Sequence, residues 1–90
     1  EGDILLIFEA KKINIVAGSD NMSDAYVIMD MDFLNNKTKG ADVSIKDGKS
    51  LVDINEYKLY NIASAEDYGT HMVELQVAGK GFKIYTFTFG

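Results

Sequence analysis

Apolar and polar residues alternate along most of this chain with a period of two, not the 3.6 of a helix. Across residues 25–34, Val27, Met29, Met31 and Phe33 fall on one side, and Tyr26, Ile28, Asp30 and Asp32 on the other. That period is a strand's, because successive Cβ atoms point to opposite faces of a sheet. The first set is expected to face a core and the second to face solvent. At the C-terminal end, Tyr85, Phe87 and Phe89 lie on one side, with Ile84, Thr86 and Thr88 opposite. The mixture of aromatic and β-branched residues there suits a pleated surface. Strands are predicted at 4–8, 12–17, 25–34, 43–46, 50–54, 58–63, 71–77 and 82–89, and no stretch reads as a helix of useful length. Breaks fall at 18–21, 35–40, 46–49, 64–69 and 78–81. Asp47-Gly48 is the sharpest turn signal, since a type I′ turn needs φ > 0 at both central residues. A hairpin of 43–46 with 49–54 follows. About eight short strands with regular turns predict an all-β fold, an antiparallel β-sandwich of jelly-roll type.

Composition narrows the picture. Ninety residues make one domain, 47% hydrophobic and 26% charged, the profile of a globular chain. The chain opens on Glu1-Gly2 without an initiating Met or a signal-like segment, so it reads as a mature piece or an excised fragment. With no cysteine there is no thiol nucleophile, redox dithiol or thiolate metal site. The formal charge is −5, and all nine basic residues are lysine. An acidic chain without arginine is a poor candidate for nucleic acid or an anionic membrane surface. Its longest apolar run, 4–8, is far too short for membrane insertion as a helix. Proline, a common guard of edge strands, is absent, which leaves lysines such as Lys11, Lys12 and Lys83 for that role.

Residues able to carry chemistry are few. The single histidine, His71, is in phase with Val73, Leu75 and Val77, so it points to the core side of its strand. It reads as a hydrogen-bonded structural histidine near the rim, with a binding contact as the alternative. No nucleophile elbow or phosphate-binding loop is present. Asp30 and Asp32 share a strand face in the expected register and could hold a hard cation with help from Asp20, Asn21 or Asp24. They could also be read as a glycosidase pair, or as a solvated acidic face, which is the plainer reading. The EF-hand pattern fails at Leu34. No cofactor is called for. Tyr26, Tyr57, Tyr60 and Tyr68 are candidates for ligand contact, because tyrosine joins an apolar ring to a polar tip, although some must be core or corner residues. There is no tryptophan for a sugar-stacking platform. Asn21-Met-Ser23 and Asn36-Lys-Thr38 match the glycosylation acceptor pattern, which has meaning only in a secretory eukaryotic context.

Three stretches together resemble a known family. They are Phe8-Glu-Ala-Lys-Lys-Ile-Asn-Ile-Val16, Gly40-Ala-Asp-Val43 followed by Lys58-Leu-Tyr-Asn-Ile62, and the ending Tyr85-Thr-Phe-Thr-Phe-Gly90. They are similar to the C-terminal domain that follows a thioredoxin-like domain in DipZ-type and related cytochrome c biogenesis or redoxin proteins. Lys58 stands where that family usually has Arg. Met31 or Phe33 replaces a usual Leu-Asp-Gly turn, so the third strand is expected to run longer here. The resemblance implies a carbohydrate-binding-module-like β-sandwich on the extracytoplasmic side of bacteria, in the periplasm or cell envelope. It also implies a non-catalytic accessory module for a linked thioredoxin-like thiol:disulfide oxidoreductase, whose redox cysteines lie in the preceding domain. Its ligand would be a glycan or a docked protein substrate. A purely structural or protein-interaction domain, or an enzyme using Asp30 and Asp32, are the alternatives.

Overall fold

The computed structural model describes residues 2–20, 23–78 and 81–89, and those residues form nine strands and no helix. In chain order they are β1 (Gly2–Glu9), β2 (Lys12–Ser19), β3 (Ser23–Met29), β4 (Asp32–Phe33), β5 (Val43–Lys46), β6 (Lys49–Ile54), β7 (Lys58–Ser64), β8 (Thr70–Ala78) and β9 (Phe82–Phe89). One sheet runs β1-β8-β3-β6-β5, with β4 also paired to β3. The other runs β7-β2-β9. Every pairing between strands is antiparallel. The expected antiparallel β-sandwich is therefore present, with nine strands in place of about eight. Asn21 and Met22, Gly79 and Lys80, and the terminal residues Glu1 and Gly90 lie outside the described residues.

The core sits between the sheets and follows the alternation. Ile13, Ile15 and Ala17 of β2 meet Val27 of β3, Val52 and Ile54 of β6, Tyr60 and Ile62 of β7, and Val73 and Leu75 of β8. Removing apolar surface from water at about 25 cal/mol per Å² is what holds the two sheets together. Buried Ser50 ties β6 to β3 and to the residue that follows β4: its hydroxyl donates to the Val27 carbonyl and accepts from the Leu34 N–H at 3.0 Å. The Asp47-Gly48 hairpin is as expected, with φ of 52° and 75° at the two turn residues.

Two expectations fail, each at a local irregularity. The third strand does not continue to residue 34. Asp30 and Met31 both adopt positive φ, 53° and 71°, and reverse the chain so that Asp32 pairs with Met29. Val27 and Met29 are buried, but Met31 is 82% exposed and Phe33 lies outside the core. The reversal is thus a two-residue turn made by Asp30 and Met31. In the last strand, Tyr85 does not share a core face with Phe87. The register with β2 steps from Val16–Thr86 to Ala17–Ile84, so Tyr85 is the extra residue of a β-bulge. Phe82, Ile84 and Phe87 pack against the core, while Tyr85 is turned out to solvent.

Candidate functional site

The bulge builds the most distinctive surface of the domain. On the outer face of the three-stranded sheet, Val16 lies between Leu59 of β7 and Thr86 of β9. One step along β2, Gly18 leaves a gap in that face. The Tyr57 ring fills it: a Cβ built on Gly18 would sit 2.0 Å from the Tyr57 Cδ1. Tyr85, turned out by the bulge, brings its ring to 5.8 Å from that of Tyr57 at an angle of 45°. Tyr57 and Tyr85 are 54% and 57% exposed, so this pair is both open and fixed in place. The Tyr57 hydroxyl donates to Asp20 Oδ1 at 3.2 Å. Hydrogen bonding with Tyr85, and then with the Asp20 carboxylate, pushes the Tyr57 phenol up to about 12. The Tyr57 phenol therefore stays neutral across the physiological range. Leu59 and Val16 extend it as an apolar floor, and the Asn61 Nδ2–H group donating to Asn14 Oδ1 at 2.8 Å gives the next row a polar edge.

His71 stands at the rim, half-buried, where its phase along β8 put it. Its Nδ1 lies 2.7 Å from Asp30 Oδ2 and its Nε2 2.8 Å from Asp67 Oδ1. Ionised carboxylates accept only, so this geometry favours the doubly protonated ring, which donates from both nitrogens. The bond to Asp30, and further the one to Asp67, raise the His71 pKa against the opposing effect of burial. The same bonds lower both carboxylates, helped by the Met72 N–H at Asp30 and the Gly69 N–H at Asp67. Both ring nitrogens are thereby engaged by carboxylates.

The remaining candidates scatter. Asp30 and Asp32 do not share a strand face, because the turn separates them: Asp30 is turned to His71 and Met72 N–H, while Asp32 begins the return strand. Asp24 faces Asp53 across β3 and β6, and hydrogen bonding with that neighbour, then burial, raises its pKa. Among the described residues, no three His, Asp or Glu side chains are grouped to hold a metal ion. Tyr60 is in the core, with its hydroxyl donating to the Glu56 carbonyl at 2.8 Å. Tyr26 lies on the outer face of the larger sheet, edge-on to Phe33. Tyr68 lies in the loop before β8 with Lys11 Nζ 5.3 Å from its ring centroid. Of the tyrosines singled out in the sequence, Tyr57 alone has a second exposed tyrosine as a ring partner. Gly18, Asp67 and Tyr85 carry no site signal in the sequence, and Asp20 carries one only as a possible further ligand of a cation.

A family model described as "Thioredoxin like C-terminal domain" matches residues 1–90, the full length of the chain. The chain belongs to this thioredoxin-like C-terminal domain family. That description is of an accessory domain in a thioredoxin-fold protein. No curated protein and no solved structure matches the chain significantly. The first two motifs that resembled the thioredoxin-like C-terminal domain are scaffold in this structure, while the third contributes Tyr85 to the exposed ring pair. Gly40 packs directly on the β7 backbone, and Asp42 accepts from the Asn61 N–H at 2.7 Å and faces Lys58 Nζ at 3.8 Å. Phe8, Ala10, Ile13 and Ile15 from the first motif are all buried. The Tyr57–Tyr85 pair lies apart from these framework contacts, on an exposed face.

Proposed function

We propose that this domain is a non-catalytic binding module, linked to a thioredoxin-like thiol:disulfide oxidoreductase outside the cytoplasm, and that it binds a glycan across the Tyr57–Tyr85 face. The observation that carries this reading is the pair of exposed rings held in place, one against a glycine and the other by a β-bulge. Rigid aromatic faces with hydroxyl tips contact a sugar ring by their apolar side and its hydroxyls by their polar tips, at little entropic cost. The supporting groups fit: Val16 and Leu59 form a flat floor, with Asp20, Asn14 and Asn61 at its margin. The engagement of both His71 nitrogens and the separation of Asp30 from Asp32 favour a binding role over hydrolysis.

The test is an NMR titration with cell-wall and storage polysaccharides. Shifts are expected at Tyr57, Tyr85, Leu59 and Val16, and Tyr57→Ala should abolish them. Absence of shifts at millimolar ligand would end the glycan reading. Exposed Leu59 favours one further version, in which this face docks the thioredoxin-like domain or its protein substrate. The same titration with that domain distinguishes the two.

A further inference from the structure

Edge strands present unpaired N–H and C=O groups, and proteins blunt them by shortness, lysine, bulges or cover. Most edges here are blunted. β4 has two residues, and β5 has four ending in Lys46. The open side of β7 is covered: Lys39 bridges Ala63, Gly40 N–H donates to the Ile62 carbonyl at 3.1 Å, and Ser64 N–H to the Thr38 carbonyl at 2.8 Å. β9 is bulged and carries Lys83. Among the described residues, β1 has none of these devices. Its eight residues keep unbroken register with β8, contain no lysine, and expose Leu5 and Ile7 at 62% and 71%.

The core is also least covered on this flank. The apolar side chains that pack on the core but stay partly exposed are Ile4, Val77, Phe82, Ile84 and Phe87, all on β1, β8 and β9. Phe8 stacks on Phe89 with ring centroids 5.7 Å apart, which sets β1 and β9 on the same side of the sandwich. Among the described residues, an unguarded edge thus lies beside an incompletely covered core.

We propose that β1 is a β-augmentation site for an extended segment of another polypeptide, apolar at alternate positions and flanked by lysine or arginine. Strand addition supplies main-chain hydrogen bonds along the edge, and alternate side chains give selectivity. A partner of eight residues spans about 26 Å at a strand's rise. One set of its side chains covers the β9 flank, and the other lies beside Leu5 and Ile7. Charge selects the flanks: Asp3 and Glu9 mark the ends of the outer face, Glu74 stands opposite Leu5, and neither β1 nor β8 contains lysine. A second copy fits less well. Antiparallel pairing centred on Leu6 sets Asp3 of each copy against Glu9 of the other, and like charges directly opposite destabilise a pair.

The experiment titrates labelled domain with the synthetic peptide acetyl-Lys-Val-Thr-Val-Thr-Val-Lys-amide, which puts both lysines on one strand face, followed by amide shifts and hydrogen exchange. Saturable shifts on β1 are expected, with exchange of alternate β1 amides slowed at least about tenfold. Replacing the peptide's lysines by glutamate should weaken binding at least about tenfold at low salt, as should Leu5→Lys combined with Ile7→Lys in the domain. Both residues are exposed, and an unchanged circular dichroism spectrum checks the fold of that variant. Tyr57→Ala should leave peptide binding intact, so loss of the glycan reading leaves this one standing. Three results overturn the proposal: no change on β1 at millimolar peptide, shifts confined to the Tyr57–Tyr85 face, or β1 protection that grows with domain concentration alone, which would assign the edge to a second copy.

Discussion

Met31 occupies backbone space that an L-residue enters at a cost of roughly 1–2 kcal/mol. The molecule contains its own reference. The turn at Asp47-Gly48 has φ of 52° and 75°, and the turn at Asp30-Met31 has 53° and 71°, but only the first places glycine at the second position. Met31 is exposed, so its side chain repays little by packing. Met31→Gly should therefore raise stability by about 0.5–1 kcal/mol in urea denaturation, after the greater freedom of glycine in the unfolded chain is subtracted. An equal or lower midpoint would contradict the strain argument. Asp30 helps hold the turn through His71 and the Met72 N–H, and this makes it pH-sensitive. A raised His71 pKa means stabilisation fully present below its unfolded value of about 6.5 and lost as pH rises through the folded value. Lowered Asp30 and Asp67 pKa values mean stabilisation present above about 3.8 and lost as pH falls through the folded values. The melting temperature of the wild type relative to His71→Gln should thus be most favourable between about pH 4 and 6.5, and shrink on either side. Added salt should diminish the difference, because both carboxylates are largely exposed. A pH-independent difference would dismiss the ion triad as a contributor.

At the scale of elements, the two misread segments share a cause. A two-residue turn inverts parity: Met29 pairs with Asp32 and Ile28 with Phe33, so Phe33 joins Tyr26 and Ile28 on the outer face although the alternation of Val27, Met29, Met31 and Phe33 runs on unbroken in the sequence. Asp-Met carries no turn signature to mark it, whereas Asp47-Gly48 does, and that hairpin was read correctly. In β9 the sequence holds two phases, Phe82 with Ile84 and Phe87 with Phe89, offset by one residue. The bulge was visible in that offset, but the regular alternation of 85–89 concealed it. Residue type alone marked Tyr57 and His71, and strand phase set His71 at the rim. Their partners Tyr85, Asp20, Asp30 and Asp67 come from other elements, which no local pattern reports. Gly18 is the hinge between element and site. Gly18→Ala puts a methyl group where the Tyr57 ring lies, and a side chain on a loop moves more cheaply than backbone. The domain should stay folded with a loss of about 1 kcal/mol, while the contacts between the Tyr57 and Tyr85 rings disappear from NMR spectra and glycan binding falls as in Tyr57→Ala. Persistence of the ring contacts would show that the glycine does not set the pair.

For the whole molecule, the chain ends decide the order of assembly. β1 closes on β8, and β2, the centre of the smaller sheet, pairs with β9. Neither sheet is complete until the C-terminal strands have docked on the N-terminal ones. Such non-local pairing places refolding in roughly the millisecond-to-second range for a small β domain. The usual sources of slower phases are missing from the sequence, since it contains no proline to isomerise and no cysteine to pair or reshuffle. Refolding from urea, followed by far-ultraviolet circular dichroism, should be a single exponential whose rate is unchanged by the time spent unfolded. A phase of tens of seconds at low protein concentration would refute this. A slow phase that instead strengthens with concentration has a physical source already visible in the fold: the flat apolar edge of β1, exposed before and after the sandwich closes, pairing between molecules. Leu5→Lys should remove that phase and leave the fast one untouched, because Leu5 points outward and adds nothing to the core that the folding reaction has to assemble.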